Sequence, residues 1–139
     1  MIGQLNDIEM NNVLSSRQVG RLAFTERKRP RMLLVSYTYD GEYIYAQTNV
    51  DRILKTSRKD LNVCFQVDMM TGMRNWQSVI VYGKAETIES AGAIEAGNVY
   101  FEKVSIGKPK ELSTKEKSEE RGVTIRIKII VVTGRFEKE

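Results

Sequence analysis

From Met32 to Tyr39 the chain alternates Leu33, Val35, Tyr37 and Tyr39 on one face with Leu34, Ser36 and Thr38 on the other. A period of two belongs to a strand. Asp40-Gly41 follows as a turn pair, and then comes Tyr43-Ile44-Tyr45-Ala46, which is aromatic and β-branched. Two strands joined by so short a link pair antiparallel, which commits the chain to a sheet built from hairpins. Gln47, Thr48 and Asn49 then break the pattern with small polar groups.

The same period recurs elsewhere. Val19 to Thr25 places Leu22 and Phe24 on one face, and Val63 to Val67 places Val63, Phe65 and Val67 together. Asn75 to Ile88 reads as a long strand, with Gly83 marking a bend or bulge. Val123 to Phe136 is the last strand. Its alternation gives way to a continuous apolar patch, Ile129 to Val132, expected to be buried on both faces, in the middle of a barrel or against a second subunit.

Helical spacing appears in Leu5 to Ser16, started by Asn6 or Asp7, with Ile8, Val13 and Leu14 as the apolar face. A short helix after Asp51 carries Ile53, Leu54 and Leu61, and Ser90 to Tyr100 carries Ala91, Ile94 and Val99. Glu26 to Arg31 reads as a charged turn, Asp68 to Arg74 as a loop rich in Met and Gly, and Ser105 to Arg121 as an exposed charged loop. Six strands linked mostly by hairpins, with short flanking helices, make a mainly β, small antiparallel barrel.

The 139 residues fit one domain, residues 1–139, able to bury a core without metal or disulfide. A net charge of +4 with interspersed acidic residues helps an anionic ligand approach, but it does not argue for nucleic acid. Aromatic and basic residues do not interleave along one strand face, which also counts against single-stranded nucleic acid. The single cysteine, Cys64, excludes a disulfide framework within the chain and fits a reducing compartment. With no signal pattern and no apolar run long enough to span a membrane, the expected location is the cytoplasm. Histidine is absent, which removes Ser-His-Asp chemistry and histidine-held metal or haem.

Arg52 is the odd residue. It opens a helix capped by Asp51, where the helix dipole opposes a cation. A bound phosphate resolves the conflict, drawing on the helix N–H groups, Thr48 and Arg52 together. A solvated arginine on an exposed turn accounts for these residues at least as well.

In order along the chain stand Gly20-Arg21-Leu22-Ala23, the stretch Arg31 to Tyr37 before Asp40-Gly41, Ile44-Tyr45 with its polar loop, Asn62 to Asp68, Trp76-Gln77-Ser78-Val79 leading to Gly83, and Val132-Thr133-Gly134-Arg135. This ordered set resembles the flavin-binding split barrels related to pyridoxamine 5′-phosphate oxidase, and within them the short, nitroimidazole-resistance-like members. The resemblance implies a six-stranded antiparallel split β-barrel and a homodimer with FMN at the subunit seam. It implies that Arg31, Leu33, Leu34, Val35 and Ser36 line the flavin, largely with backbone, and that Ala46, Gln47 and Thr48 continue that wall. Arg52 falls at the phosphate ligand, which favours that reading of it, and Ser78 falls on a strand that approaches the ring. Two departures stand out. Ile53 replaces a second basic residue, for which Lys55 is a substitute one turn on. Gln47 stands where the nitroimidazole-resistance proteins carry histidine.

Other residues divide less sharply. Trp76 stacks on a ligand or packs with its N–H satisfied, packing being slightly favoured. Met69, Met70 and Met73 form a soft lip over a ligand or a mobile loop. Tyr37, Tyr43, Tyr45 and Tyr82 read as strand packing, and Cys64 as a small buried apolar residue. The function expected is an FMN-dependent oxidoreductase working with a small-molecule electron donor or acceptor, its catalytic residues not assigned. The alternatives are a non-catalytic ligand-binding barrel and, third, a basic barrel for single-stranded nucleic acid.

Overall fold

The computed structural model describes residues 1–48, 61–88 and 123–139. The helix after Asp51, with Arg52, Ile53 and Lys55, the helix Ser90 to Tyr100 and the loop Ser105 to Arg121 lie outside the described residues.

Among the described residues the chain forms β1 (Ile2–Gln4), α1 (Asp7–Ser16), β2 (Val19–Glu26), β3 (Arg29–Tyr39), β4 (Tyr43–Thr48), β5 (Leu61–Gly72), β6 (Asn75–Thr87) and β7 (Val123–Glu137). Every pairing is antiparallel. The sheet runs β1-β7-β4-β3-β2-β5-β6, and β6 pairs back onto β7. Six strands therefore close a ring, as the hairpin pattern implies. The seventh, β1, is an added edge on the end of β7 that periodicity does not reveal, because three residues are too few to show a period.

Alternation sorts side chains as expected. Leu22, Phe24, Val35, Tyr37, Ile44, Ala46, Val63, Phe65, Val67, Val79, Val81, Ile125 and Ile127 point inward and form one core. Tyr37 meets Phe65 edge to face, with ring centroids 5.0 Å apart. Asp40 builds its turn by accepting from the N–H groups of Glu42 at 2.9 Å and Tyr43 at 2.7 Å.

The helix begins with a capping box. Asn6 Oδ1 accepts from Glu9 N–H at 2.8 Å, and Glu9 Oε1 accepts from Asn6 N–H at 3.0 Å. Its apolar face differs from the expectation. Val13 and Leu14 are buried and Met10 packs against the core, while Ile8 is 73% exposed. At about 100° per residue Ile8 lies roughly 160° from Met10, so the face that carries Val13 and Leu14 turns it outward.

Three links or strand ends are also corrected. Glu26 pairs with Arg29, so the charged turn shrinks to Arg27 and Lys28, both at positive φ (50° and 67°). Positive φ at both central residues is the geometry whose twist suits a two-residue hairpin. Gln47 and Thr48 continue β4, because Thr124 and Val123 of β7 pair with them. Most of Asp68 to Arg74 belongs to β5, with a register shift between Met70 and Gly72. A partner strand extends these polar stretches beyond what their own residues favour.

The patch Ile129 to Val132 is not buried on both faces. Tyr82 pairs with Val131 and Gly83 with Ile129, so Ile130 is an extra residue in a bulge. The bulge switches the phase of β7. Ile129 and Val132 pack against the core, and Ile130 (56%) and Val131 (49%) are exposed. Gly83 is required there: a Cβ would stand 2.3 Å from the carbonyl oxygen of Lys128.

Candidate flavin site

β3 pairs with β2 along its whole length up to Ser36, but its pairing with β4 covers only Ser36 to Tyr39. Among the described residues, Arg31 to Val35 thus has a partner strand on one side alone. Alternate residues of such a stretch present both N–H and C=O to the unpaired side. This edge is the split in the barrel wall.

Beside the split, Ser36 faces Gln47 across the β3–β4 ladder, and Gln47 faces Thr124 on β7. All three lie on the outer face. The next row on that face is Thr38, Tyr45, Arg126 and Glu86. Arg126 donates through Nε to Glu86 Oε1 at 2.8 Å and pairs with the same oxygen through Nη2. Its guanidinium also sits 4.9 Å from the centre of the Tyr43 ring. The Glu86 hydrogen bond raises the Arg126 pKa above its usual value. Burial, and then the Asp40 charge, raise that of Tyr45, which remains a protonated phenol at neutral pH. Thr38 is buried, and its hydroxyl oxygen has no hydrogen-bond partner among the described residues.

The residues singled out from sequence do not share one environment. Ser36 and Gln47 meet on the outer face, with Leu34 next to Ser36 in phase and 71% exposed. Leu33, Val35 and Ala46 point into the barrel, so only their backbone can meet a ligand outside. Arg31 is half-buried and stands at the start of the unpaired edge. Thr48 is in β4 and pairs with Val123. Ser78 stands apart: β2 and β5 lie between its strand and β3. Its hydroxyl accepts from Gln66 Nε2 at 2.9 Å, beside an Arg21–Asp68 ion pair of 3.0 Å. Arg52 lies outside the described residues.

Trp76 has its N–H satisfied by Glu137, in line with packing, but it also lines a cavity. Of the three methionines proposed as a lip, Met69 reaches that cavity, while Met70 and Met73 are exposed. Tyr37 is a core residue and Cys64 is half-buried. The Arg126–Glu86–Tyr45 row is not visible in the sequence as a group. Its one signal is that Tyr45 and Arg126 hold outward phase on strands whose inward residues, Ile44, Ala46, Ile125 and Ile127, are apolar. Among the described residues no cluster of His, Cys, Asp or Glu can hold a metal ion, and no helix is long and apolar enough to cross a membrane.

A closed antiparallel ring with an interrupted edge, flanked by a small helix, defines a split barrel. The chain belongs to the pyridoxamine 5′-phosphate oxidase family, whose model matches residues 7–136. Among solved structures it is similar to an FAD-binding protein from Mesorhizobium loti, at 25% identity and a TM-score of 0.76, over 99% of both chains. It is also similar to a putative pyridoxamine 5′-phosphate oxidase from Corynebacterium glutamicum, at 21% identity and a TM-score of 0.75, over 100% of both chains. A putative 5-nitroimidazole antibiotic resistance protein from Bacteroides thetaiotaomicron shares the fold at 10% identity and a TM-score of 0.73, over 98% of this chain and 87% of that one. No curated protein sequence matches the chain.

Proposed function

We propose that the protein binds FMN along the split and acts as an oxidoreductase, as a cytoplasmic homodimer with the flavin at the subunit seam. The observation that carries this is the unpaired edge Arg31 to Val35 running into the Ser36–Gln47 pair. A flavin presents an edge of alternating donors and acceptors, which a free strand edge matches without any charged side chain. The residues present therefore fit the group. The Mesorhizobium loti protein, described as FAD-binding, supports the flavin class.

When bound, the flavin supplies hydride or electron transfer, and the protein supplies orientation. The backbone of Leu33, Leu34 and Val35 fixes the plane of the ring. The Ser36 hydroxyl and the Gln47 amide bind its polar edge or the substrate beside it. Tyr45, protonated at neutral pH and set between Arg126 and Asp40, keeps the next row polar without adding a titrating group. Arg52 neutralises the phosphate.

The dimer has its own support. Met32, Ala23, Cys64, Tyr82 and Val131 are successive cross-strand neighbours on the outer face. Met32, Tyr82 and Val131 of this row are exposed, as are Leu34 and Ile130. A row of outward apolar residues, exposed at Met32, Tyr82 and Val131 and half-buried at Ala23 and Cys64, supports a protein interface. Adding FMN, FAD and riboflavin separately to the apo protein tests the reading. Saturable binding of FMN with a perturbed flavin spectrum is expected. A protein that refuses all three is a non-catalytic barrel, and one that prefers FAD has a longer site than proposed.

A further inference from the structure

β7 carries a second interruption of the barrel wall, on the side away from β6. β4 starts at Tyr43, opposite Lys128, and β1 meets β7 only from Arg135 onward. Between them Ile129 to Thr133 have no partner strand on that side among the described residues, and Gly134 accepts from the Leu5 N–H at 2.9 Å. α1 packs here. A Cβ on Gly134 would stand 2.7 Å from Met10 Cγ, so the glycine lets the helix seat against β7. Between helix and strands remains a cavity of about 450 Å³, walled by Met10 and Leu14 of α1, Tyr39 of β3 and Val132 of β7. That volume suits a small molecule. The Tyr37 hydroxyl holds the carbonyl of Leu14, so the helix wall is fixed before a ligand arrives.

The rim narrows the ligand. Ile8 lines the cavity and is 73% exposed, an aliphatic group that the hydrocarbon of a ligand would cover. Asp7 and Asn11, one turn apart on the helix, add a carboxylate and an amide, and neither side chain has a hydrogen-bond partner among the described residues. Among those residues Asp7 is the one charged side chain in the lining. Lys128 has the opposite phase to Ile127 and Ile129 and is exposed on the outer face. Arg17 caps the far end of α1, roughly 15 Å along the axis from Asp7. The helix dipole offsets only part of the Asp7 charge. Burial and then the Asp40 charge raise the pKa of Tyr39, so a second carboxylate is felt at the opposite wall.

We propose that this cavity binds a small apolar amine, its hydrocarbon against Met10, Leu14, Tyr39 and Val132 and its ammonium group at Asp7 and Asn11 on the rim. The site uses none of the residues of the proposed flavin wall, and it stands or falls independently of it.

The full chain is titrated with hexylamine, with hexan-1-ol as a neutral analogue and with hexanoate as an anion, while NMR follows the methyl groups of Ile8 and Met10. Saturable shifts of both methyl groups are expected with the amine. The alcohol should bind about threefold more weakly, the effect of one exposed charge, and hexanoate more weakly still. Asp7→Asn, a change at an exposed residue, should remove the advantage of the amine and leave the alcohol unchanged. Ile8→Gln, also at an exposed position, should weaken amine and alcohol alike. Shifts linear in concentration for all three compounds, or saturable shifts only at methyl groups outside the cavity, would overturn the site. Hexanoate binding as tightly as the amine, or an amine preference that survives Asp7→Asn, would overturn the assignment of charge.

Discussion

The Tyr37 hydroxyl donates to the carbonyl oxygen of Leu14 at 2.7 Å, inside the core. Leu14 is in the last turn of α1, where carbonyls have no partner within the helix. One barrel strand thus satisfies the helix end and ties it to the wall. Without that phenol a buried carbonyl is left unpaired. Tyr37→Phe should therefore cost about 1–3 kcal/mol in urea unfolding, the range for a buried group deprived of its partner. The pH dependence adds a second readout. Burial raises the Tyr37 pKa far above its usual 10.0. The stabilisation is complete below the unfolded value and fades as pH rises past it. Above about pH 10 the parent protein should lose stability more steeply than Tyr37→Phe, and parallel curves would contradict the burial argument.

The outer apolar band predicts association. Val131 points out of the barrel and is half exposed, so Val131→Asp leaves the core intact while placing a charge in the proposed seam. Sedimentation should show a dimer for the parent and a shift toward monomer for the variant, with flavin affinity falling in step. A parent that sediments as a folded, flavin-loaded monomer would exclude the seam.

Gln47 sits on the outer face opposite Ser36. An amide can orient a substrate by hydrogen bonding, but it does not give up a proton at neutral pH. Nitroimidazole reduction should therefore be poor. Gln47→His should raise it by roughly a hundredfold, the lower range for a placed proton donor. If the parent already turns nitro compounds over at a rate the variant does not improve, the amide is not limiting.

Arg52 carries the phosphate in the proposed function. Arg52→Ala should weaken FMN binding by about 1.5–3 kcal/mol, as for a hydrogen bond to a charged group, and leave riboflavin almost unaffected. Equal losses for both flavins would mean that Arg52 acts through the fold. No loss for either would move the phosphate to Lys55 or to a basic residue of the second subunit.

Periodicity along the chain was enough to determine the hairpin at Asp40-Gly41, its antiparallel sense and the inward faces of Leu22 and Phe24, of Val35 and Tyr37, and of Val63, Phe65 and Val67, because which face a strand residue takes is local once the strand exists. The split-barrel family was likewise legible in an ordered set of short pieces. Several features were decided only by tertiary pairing. Gln47 and Thr48 became strand because β7 lies beside them. Ile130 reversed the phase of its strand because Gly83 and Lys128 come together across a bulge. Ile8 stayed outside because the barrel met the face that carries Val13 and Leu14. The row of Tyr45, Arg126 and Glu86 depends on register between strands far apart in sequence. Local side-chain preference fixes which face a residue takes, but not which residue it meets on a strand distant in sequence.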